Sequence, residues 1–99
     1  MPLSQFSRSV EGCVVLVTGA ASGMGEATAK LFADEGAKVA AVDLNGESLQ
    51  RVVGEIESAG CPVRGWTLDL SDGAAVDRVV AEVADHFGGL DILINNAGI

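Results

Sequence analysis

The chain has 99 residues, 48% of them hydrophobic and 13 of them glycine, and a formal net charge of −8. Its length allows one domain, and its apolar content is typical of a globular chain and excludes a disordered one. The acidic balance argues against nucleic acid and anionic membranes, which attract basic surfaces, and indicates a solvated acidic surface that identifies no partner.

The chain begins with a polar stretch and then a buried strand. Residues 1–11 lack periodicity and predict an arm, whereas residues 12–99 predict a partial domain that ends after its fourth strand. An apolar run predicts the first strand at about 13–18, and the first helix follows at about 23–35, ending near Gly36. Ala27, Leu31 and Phe32 are predicted to lie on one face of this helix.

The second strand–helix unit has clear boundaries. Lys38–Asp43 is predicted as the second strand, and Asn45 is predicted to cap a second helix at about 46–59 that Gly60 ends. Apolar residues of this helix recur at i, i+3, i+4 and i+7, which predicts an amphipathic helix. They are Leu49, Val52, Val53 and Ile56.

A third unit and a final strand complete the chain. The third strand is predicted at about 62–69, and Ser71 is predicted to cap a third helix at about 72–87. Gly88-Gly89 ends that helix, and a fourth strand is predicted at 90–95. The predicted apolar stripe of the third helix contains Val76, Val79, Val80 and Val83.

This β-α-β-α-β-α-β alternation, with short connections, predicts a fold of the α/β class. It implies a parallel sheet with right-handed crossovers. In the doubly wound, Rossmann-like arrangement the strand order is 3-2-1-4, in three layers α/β/α. A ligand is then expected in the crevice beyond the carboxyl ends of the first and fourth strands.

A glycine-rich loop follows the first strand, within Thr18–Gly25. Gly19, Gly23 and Gly25 are spaced four and two apart and lead directly into a helix. Glycines let the backbone turn tightly and approach a ligand, and the unpaired N–H groups of a helix N-terminus bind phosphate. The loop therefore predicts a site for a dinucleotide pyrophosphate; the alternative is a tight strand-to-helix turn.

An acidic residue, Asp43, ends the second strand 18 residues after Gly25. A carboxylate at that position accepts hydrogen bonds from the ribose hydroxyls of an adenosine and repels the 2′-phosphate of NADP. The nearby Ser22 and Leu44 supply no cation, so NAD is predicted over NADP. The alternative is a strand-end or turn residue.

Other polar or aromatic residues allow two interpretations each. Asp69 ends the third strand and either meets the adenine amino group, with the backbone of Leu70 beside the ring, or begins the next turn. His86 is interpreted as a complement to a helix dipole or a surface residue rather than a catalytic group. Trp66 is interpreted as a core or strand-surface residue. Glu26 lies in the first turn of a helix, where its negative charge interacts favourably with the helix dipole but unfavourably with a nearby pyrophosphate.

Two cysteines, Cys13 and Cys61, lack the spacing of metal ligands, and no signal peptide is recognised. They are predicted to be reduced and buried or half-buried, which favours a cytoplasmic protein. No run of residues approaches the roughly 18 apolar residues of a membrane span.

These motifs resemble those of the short-chain dehydrogenase/reductase family. Thr18–Gly25 is similar to the family's TGxxxGxG loop, Asn95–Gly98 to its NNAG motif, and Asp69-Leu70 to its adenine-contacting pair. The resemblance extends from about residue 10 to Ile99.

The resemblance implies a set of cofactor-binding residues: Gly19, Ser22, Gly23, Met24, Gly25, Asp43, Asp69, Leu70, Asn96, Ala97 and Gly98. By this resemblance, loop backbone groups hold the phosphates, Asp43 the adenosine ribose, and Asp69 and Leu70 the adenine. The asparagine motif lies at the nearby ribose region, and Thr18 ties the loop to the fourth strand.

The family's catalytic serine, Tyr-x-x-x-Lys pattern and further asparagine all follow the NNAG motif. This chain contains no tyrosine and ends one residue past that motif. The resemblance therefore implies the N-terminal, cofactor-binding part of an NAD-dependent oxidoreductase, itself without catalytic residues. The full-length enzyme is expected to be a homo-oligomer acting on an alcohol or carbonyl.

The alternative is a naturally short nucleotide-binding or interaction module without dehydrogenase chemistry. The reading frame after Ile99 discriminates between them. Because a fourth strand without a neighbour leaves an open edge and apolar surface, the isolated chain is also expected to be marginally stable and to self-associate.

Overall fold

The computed structural model describes residues 10–96, in which strands and helices alternate. The elements are β1 Val14–Thr18, α1 Gly23–Asp34, β2 Lys38–Asp43, α2 Gly46–Ser58, β3 Val63–Thr67, α3 Gly73–Phe87 and β4 Ile92–Asn95. All seven were predicted, and each boundary lies within two residues of the prediction. Of the predicted arm, only its last two residues belong to the described part.

The four strands form one parallel sheet in the order β3-β2-β1-β4, which confirms the predicted topology. Every residue of β1 is buried. This follows from its central position, because a strand with neighbours on both sides and helices on both faces needs a continuous apolar sequence. The carboxyl ends of all four strands consequently lie along one edge of the sheet.

Side chains alternate between the two faces of the sheet and form two core layers. The first layer lies under α1 and α2 and contains Val15, Val17, Val39, Ala41, Leu49, Val52 and Ile56. The second lies under α3 and contains Val14, Leu16, Ala40, Val42, Trp66, Val79 and Val83. The structure is therefore a three-layer α/β/α arrangement with two helices on one face and one on the other.

The face of α1 that packs on the sheet is not the apolar face predicted from the sequence, apart from Phe32. Its buried residues are Gly25, Ala29 and Ala33, whereas Ala27 and Leu31 are exposed, Leu31 by 59%. Phe32, the third predicted residue, is partly buried against the core. Small residues let α1 lie close to the sheet. The helix therefore packs on the sheet through its glycine and alanine residues and not through its larger apolar side chains.

The caps of α2 and α3 agree with prediction in one case and differ in the other. The side chain of Asn45 accepts a hydrogen bond from Ser48 N, which confirms it as the N-cap of α2. The N-cap of α3 is Asp72, which accepts from the amides of Ala74 and Ala75, so the prediction of Ser71 was wrong.

The C-terminus of α3 lies where it was predicted, whereas the set of residues that this helix buries differs in part from the prediction. Gly88 ends the helix in a left-handed conformation, φ 87°, as the predicted break requires. Val79 and Val83 are buried as predicted, but Val80 is exposed and Ala75 is buried in its place.

The environment of the two cysteines matches the expected burial, since Cys13 and Cys61 are both half-buried. Among residues 10–96, no helix is long and apolar enough to cross a membrane.

The surface beside β4 supports the expectation of self-association. Within residues 10–96, β4 pairs only with β1, and Leu93 on this strand is 61% exposed. Leu93 and Val80 line an apolar groove of about 300 Å³ between α3 and the sheet. Exposed apolar surface of this kind favours association.

We therefore expect the isolated 99-residue chain to form oligomers, and Leu93→Glu to weaken them by about tenfold or more, since burial of a leucine contributes about 1.5–3 kcal/mol. Sedimentation velocity over a concentration series measures this. Leu31→Glu, an equally exposed position on the other face, is the control. A wild-type chain that stays a monodisperse monomer with a cooperative melt contradicts the expectation.

Candidate functional site

A cleft of about 480 Å³ lies at the carboxyl edge of the sheet. Its lining comes from the loop after β1, the ends of β2 and β3, and the residue after β4. The lining residues are Gly19, Ser22, Gly23, Met24, Gly25, Asp43, Leu44, Leu68, Leu70 and Asn96. The structure thus brings segments far apart in sequence to the edge where a parallel sheet binds ligands.

Eight of the predicted binding residues line this cleft. Asp69 is not part of the lining, and Ala97 and Gly98 lie outside the described residues. Leu44 and Leu68 were not predicted. Each directly follows the last residue of a strand, β2 or β3, and that position is the signal by which they could have been found.

The conformation of the loop between β1 and α1 explains its glycines. Gly19 and Gly23 have φ values of 65° and 59°, in the region that side chains rarely adopt. Gly25 is needed for a different reason, because a Cβ added there would overlap the carbonyl oxygen of Gly19. The loop therefore folds back on the first turn of α1 with no room for a side chain between them.

The N-terminus of α1 is open toward the cleft. Its N-cap, Ser22, is extended and makes no side-chain capping bond, the only helix start within residues 10–96 of which this holds. The first N–H groups of a helix have no partner in the helix itself, and they carry the positive end of its dipole. Glycines without side chains and an uncapped helix start fit the requirements of a pyrophosphate.

Both carboxylate oxygens of Asp43 accept hydrogen bonds from the backbone. One accepts from the amide of Ala21, at 2.9 Å, and the other from the amide of Asn45, also at 2.9 Å. The turn role that was the alternative for Asp43 is therefore present. Asp43 remains half-buried at the cleft, and each carboxylate oxygen can accept a further bond, so a contact with a ribose stays a prediction.

Asp69 begins the turn into α3. Its Oδ1 accepts from the amide of Ser71 at 2.9 Å and from the hydroxyl of Ser71 at 2.7 Å. These bonds, the backbone one first, lower the pKa of Asp69 below its usual value. Ser71 is engaged with Asp69, and the next residue, Asp72, is the N-cap, so the helix starts at Gly73, one residue later than predicted. A contact between Asp69 and adenine stays a prediction.

Thr18 connects the two strands that flank the cleft. Its hydroxyl donates to Asn95 Oδ1 at 2.9 Å and accepts from the amide of Asn96 at 3.1 Å. The end of β1 is thereby held to the end of β4, the connection that the family resemblance implied.

Trp66 on β3 and His86 at the end of α3 are the two ring residues whose roles the sequence left open. Trp66 is buried and its indole N–H donates to Glu82 at 3.0 Å, which confirms it as a core residue. His86 is exposed in the last turn of α3, where a cation complements the dipole, and its Nδ1 lies 3.2 Å from Arg64. Neither lines the cleft.

A cluster of four charged residues bridges α1 and α2 beside the loop. Glu26 binds Lys30 at 2.7 Å and Arg51 at 2.9 Å, and Glu55 contacts both cations. Hydrogen bonds from Arg51, then from Lys30, lower the pKa of Glu26 from 4.5 to about 2. Glu26, predicted only as a complement to the helix dipole, thus also joins two helices.

This shift in pKa predicts a pH dependence of stability. Because the folded-state pKa of Glu26 lies below the unfolded value, its contribution is complete above about pH 4.5 and disappears as the pH falls toward 2. Glu26→Gln should therefore be less stable than wild type at pH 7, and the difference should shrink over that range. Urea midpoints measured from pH 7 to 2 test this, with Glu57→Gln as the control. A difference that is constant at every pH would contradict it.

The sheet order, the crossovers and the cleft define a Rossmann-like α/β unit. Residues 13–99 match the model of the short chain dehydrogenase family. The chain therefore belongs to the short-chain dehydrogenase family of oxidoreductases.

Individual relatives agree with this assignment. The chain is 40% identical over 93 residues, 94% of its length, to a 2,3-dihydro-2,3-dihydroxybenzoate dehydrogenase of Bacillus subtilis (strain 168). It superposes with a TM-score of 0.91 on a hydroxysteroid dehydrogenase of Escherichia coli, at 31% identity, covering 97% of this chain and 40% of that one. A metagenomic short-chain oxidoreductase in complex with NADP gives a TM-score of 0.86 at 36% identity, covering 92% of this chain and 41% of that one.

The chain matches only part of each relative. It spans 36% of the Bacillus subtilis enzyme, so it is little more than a third as long as the curated relatives it matches.

Proposed function

We propose that this chain binds a nicotinamide dinucleotide in the cleft at the carboxyl edge of its sheet, and NAD in preference to NADP. It would do so as the cofactor-binding part of an oxidoreductase that exchanges hydride with an alcohol or carbonyl compound. The observation that carries the proposal is the convergence of an uncapped helix start, a glycine loop and a carboxylate on one cleft.

Different residues of the cleft would bind different parts of the proposed cofactor. The amides at the start of α1, from Ser22 to Gly25, would hold the pyrophosphate. Asp43 would accept the hydroxyls of the adenosine ribose, and the apolar side chains of Leu44, Leu68 and Leu70 offer a surface for the adenine ring.

The preference for NAD is argued from charge. Asp43 places a negative charge at the cleft, and a 2′-phosphate beside it would be repelled. The nearest cation of the loop region, Arg51, is held by two carboxylates. One structural relative was solved with NADP, so the family membership alone does not decide this point.

The chemistry itself would need residues that this chain does not contain. The nicotinamide, when bound, would accept hydride from an alcohol or donate it to a carbonyl, and a general acid/base must exchange a proton with the substrate oxygen. In the family that group is a tyrosine, and this sequence has none. We therefore assign cofactor binding to these 99 residues and hydride transfer to a longer, cytoplasmic homo-oligomer.

Calorimetric titration of the chain with NAD and, separately, with NADP tests the proposal. We expect both to bind and NAD to bind about tenfold more tightly, the effect of about 1.4 kcal/mol. Absence of binding by either nucleotide would overturn the cofactor site. Tighter binding of NADP would overturn the role of Asp43 while leaving the site itself in place.

A further inference from the structure

Residue Ala21 of the glycine loop is held by charged groups on both sides. Its amide donates to the carboxylate of Asp43 at 2.9 Å, and its carbonyl accepts from the guanidinium of Arg51 at 3.5 Å. A cation on α2 thus lies one peptide unit away from the carboxylate that lines the cleft. No local pattern of the sequence points to Arg51, which is 30 residues from Ala21.

The guanidinium of Arg51 is bound by two carboxylates, and only Glu26 contacts both of its terminal nitrogens. Its Nη2 donates to one oxygen of Glu26 at 2.9 Å, and its Nη1 lies 3.3 Å from the other. Such a two-point contact fixes both the position and the orientation of an arginine. Glu55, which lies on the same helix as Arg51, accepts a hydrogen bond only from Nη1, at 2.9 Å.

The two partners differ in how firmly they are placed. The side chain of Glu26 is only 19% exposed and also binds Lys30, whereas that of Arg51 is 52% exposed. Glu26 is therefore the anchored member, and Arg51 is the member that can move if the pair is broken. The four charges of the cluster sum to zero, so it presents no net cation to the cleft.

We propose that Glu26 is a specificity-determining residue, which keeps the cleft selective for NAD by holding Arg51 against α1 and away from a 2′-phosphate. This rests on the proposed function. Asp43 repels that phosphate, and the Glu26–Arg51 pair removes the one cation of α2 that could compensate. Asp43 and Glu26, although separated, would thereby both favour NAD over NADP.

The chemistry of a released arginine gives the direction of the effect. A guanidinium binds phosphate through two parallel hydrogen bonds, and one charge-assisted hydrogen bond raises the affinity about tenfold or more. NAD carries no 2′-phosphate, so its affinity should change little when Arg51 is released.

The test measures the ratio of the NADP and NAD dissociation constants for Glu26→Gln. We expect this ratio to fall about tenfold relative to wild type. Both nucleotides are measured on the same preparation, so a general loss of folded protein cancels in the ratio. The double variant Glu26→Gln/Arg51→Gln should return the ratio to the wild-type value, because the released cation is then absent.

Glu57→Gln is the matched control, since it removes the same charge from an exposed position of α2 outside the cluster. An unchanged ratio in Glu26→Gln overturns the proposal, and so does an equal change in Glu57→Gln or a change that persists in the double variant. Failure of the wild-type chain to bind either nucleotide is a different result, which overturns the proposed cofactor site.

Discussion

Replacing Gly25 with alanine should destabilise the chain by about 3 kcal/mol, at the upper end of what overpacking costs, and abolish dinucleotide binding. The added Cβ would overlap the carbonyl oxygen of Gly19, which is backbone and can move away only by distorting the loop. The loop and the start of α1 would separate, and both belong to the cleft. Chemical denaturation and nucleotide titration measure the two effects.

Gly54→Ala is the control for this substitution. Gly54 lies in α2, and a Cβ added there meets nothing within 4 Å. Alanine in the interior of a helix is favoured over glycine by about 0.5–1 kcal/mol, so this variant should be more stable than wild type and bind nucleotide normally. If Gly25→Ala is as stable as Gly54→Ala, the inference that a Cβ at position 25 does not fit against the loop is wrong.

Replacing Asp43 with asparagine should lower the affinity for NAD by about tenfold and reduce the affinity for NADP much less. The amide side chain has one oxygen, so only one of the two backbone donors, Ala21 N and Asn45 N, keeps an acceptor. Hydrogen bonds to charged groups contribute about 1.5–3 kcal/mol, and we expect stability to fall by about that amount. The loss of negative charge also removes the repulsion of a 2′-phosphate.

Asp91→Ala, which leaves one backbone amide without its acceptor, separates the structural effect from the effect on the cofactor. The carboxylate of Asp91 accepts from the amide of Val14 at 2.8 Å, at the start of β1 and thus at the far end of the strand from the cleft. We expect this variant to lose comparable stability and to keep the wild-type preference for NAD. Equal affinity changes in the two variants would show that Asp43 acts only through the fold.

Agreement between sequence and structure is best where the signal is local. The apolar run of β1, the cap at Asn45 and the end of α3 at Gly88 depend on a few neighbouring residues, and all were predicted. The strand order also followed, because short crossovers of one hand leave few ways to join alternating strands and helices.

Predictions failed where neighbouring residues competed for one role, either as the cap of a helix or as its contact with the sheet. Ser71 and Asp72 are both good N-caps, and the hydrogen bonds between Asp69 and Ser71 decide which one is used. In α1, Leu31 is the more apolar residue, yet Ala29 and Ala33 face the sheet because the helix lies too close for larger side chains.

Three features could be predicted from the amino-acid sequence alone: the class of fold, the edge of the sheet at which the cleft lies, and most of the residues that line the cleft. Those features follow from periodicity and from glycines and carboxylates at strand ends, which are readable within one element and its turn. Only the tertiary structure revealed that Asp43 and Arg51 hold the same loop residue from opposite sides, and that Glu26 holds Arg51. Contacts between side chains on different helices depend on the distance and orientation of the two helices, which no local sequence pattern encodes.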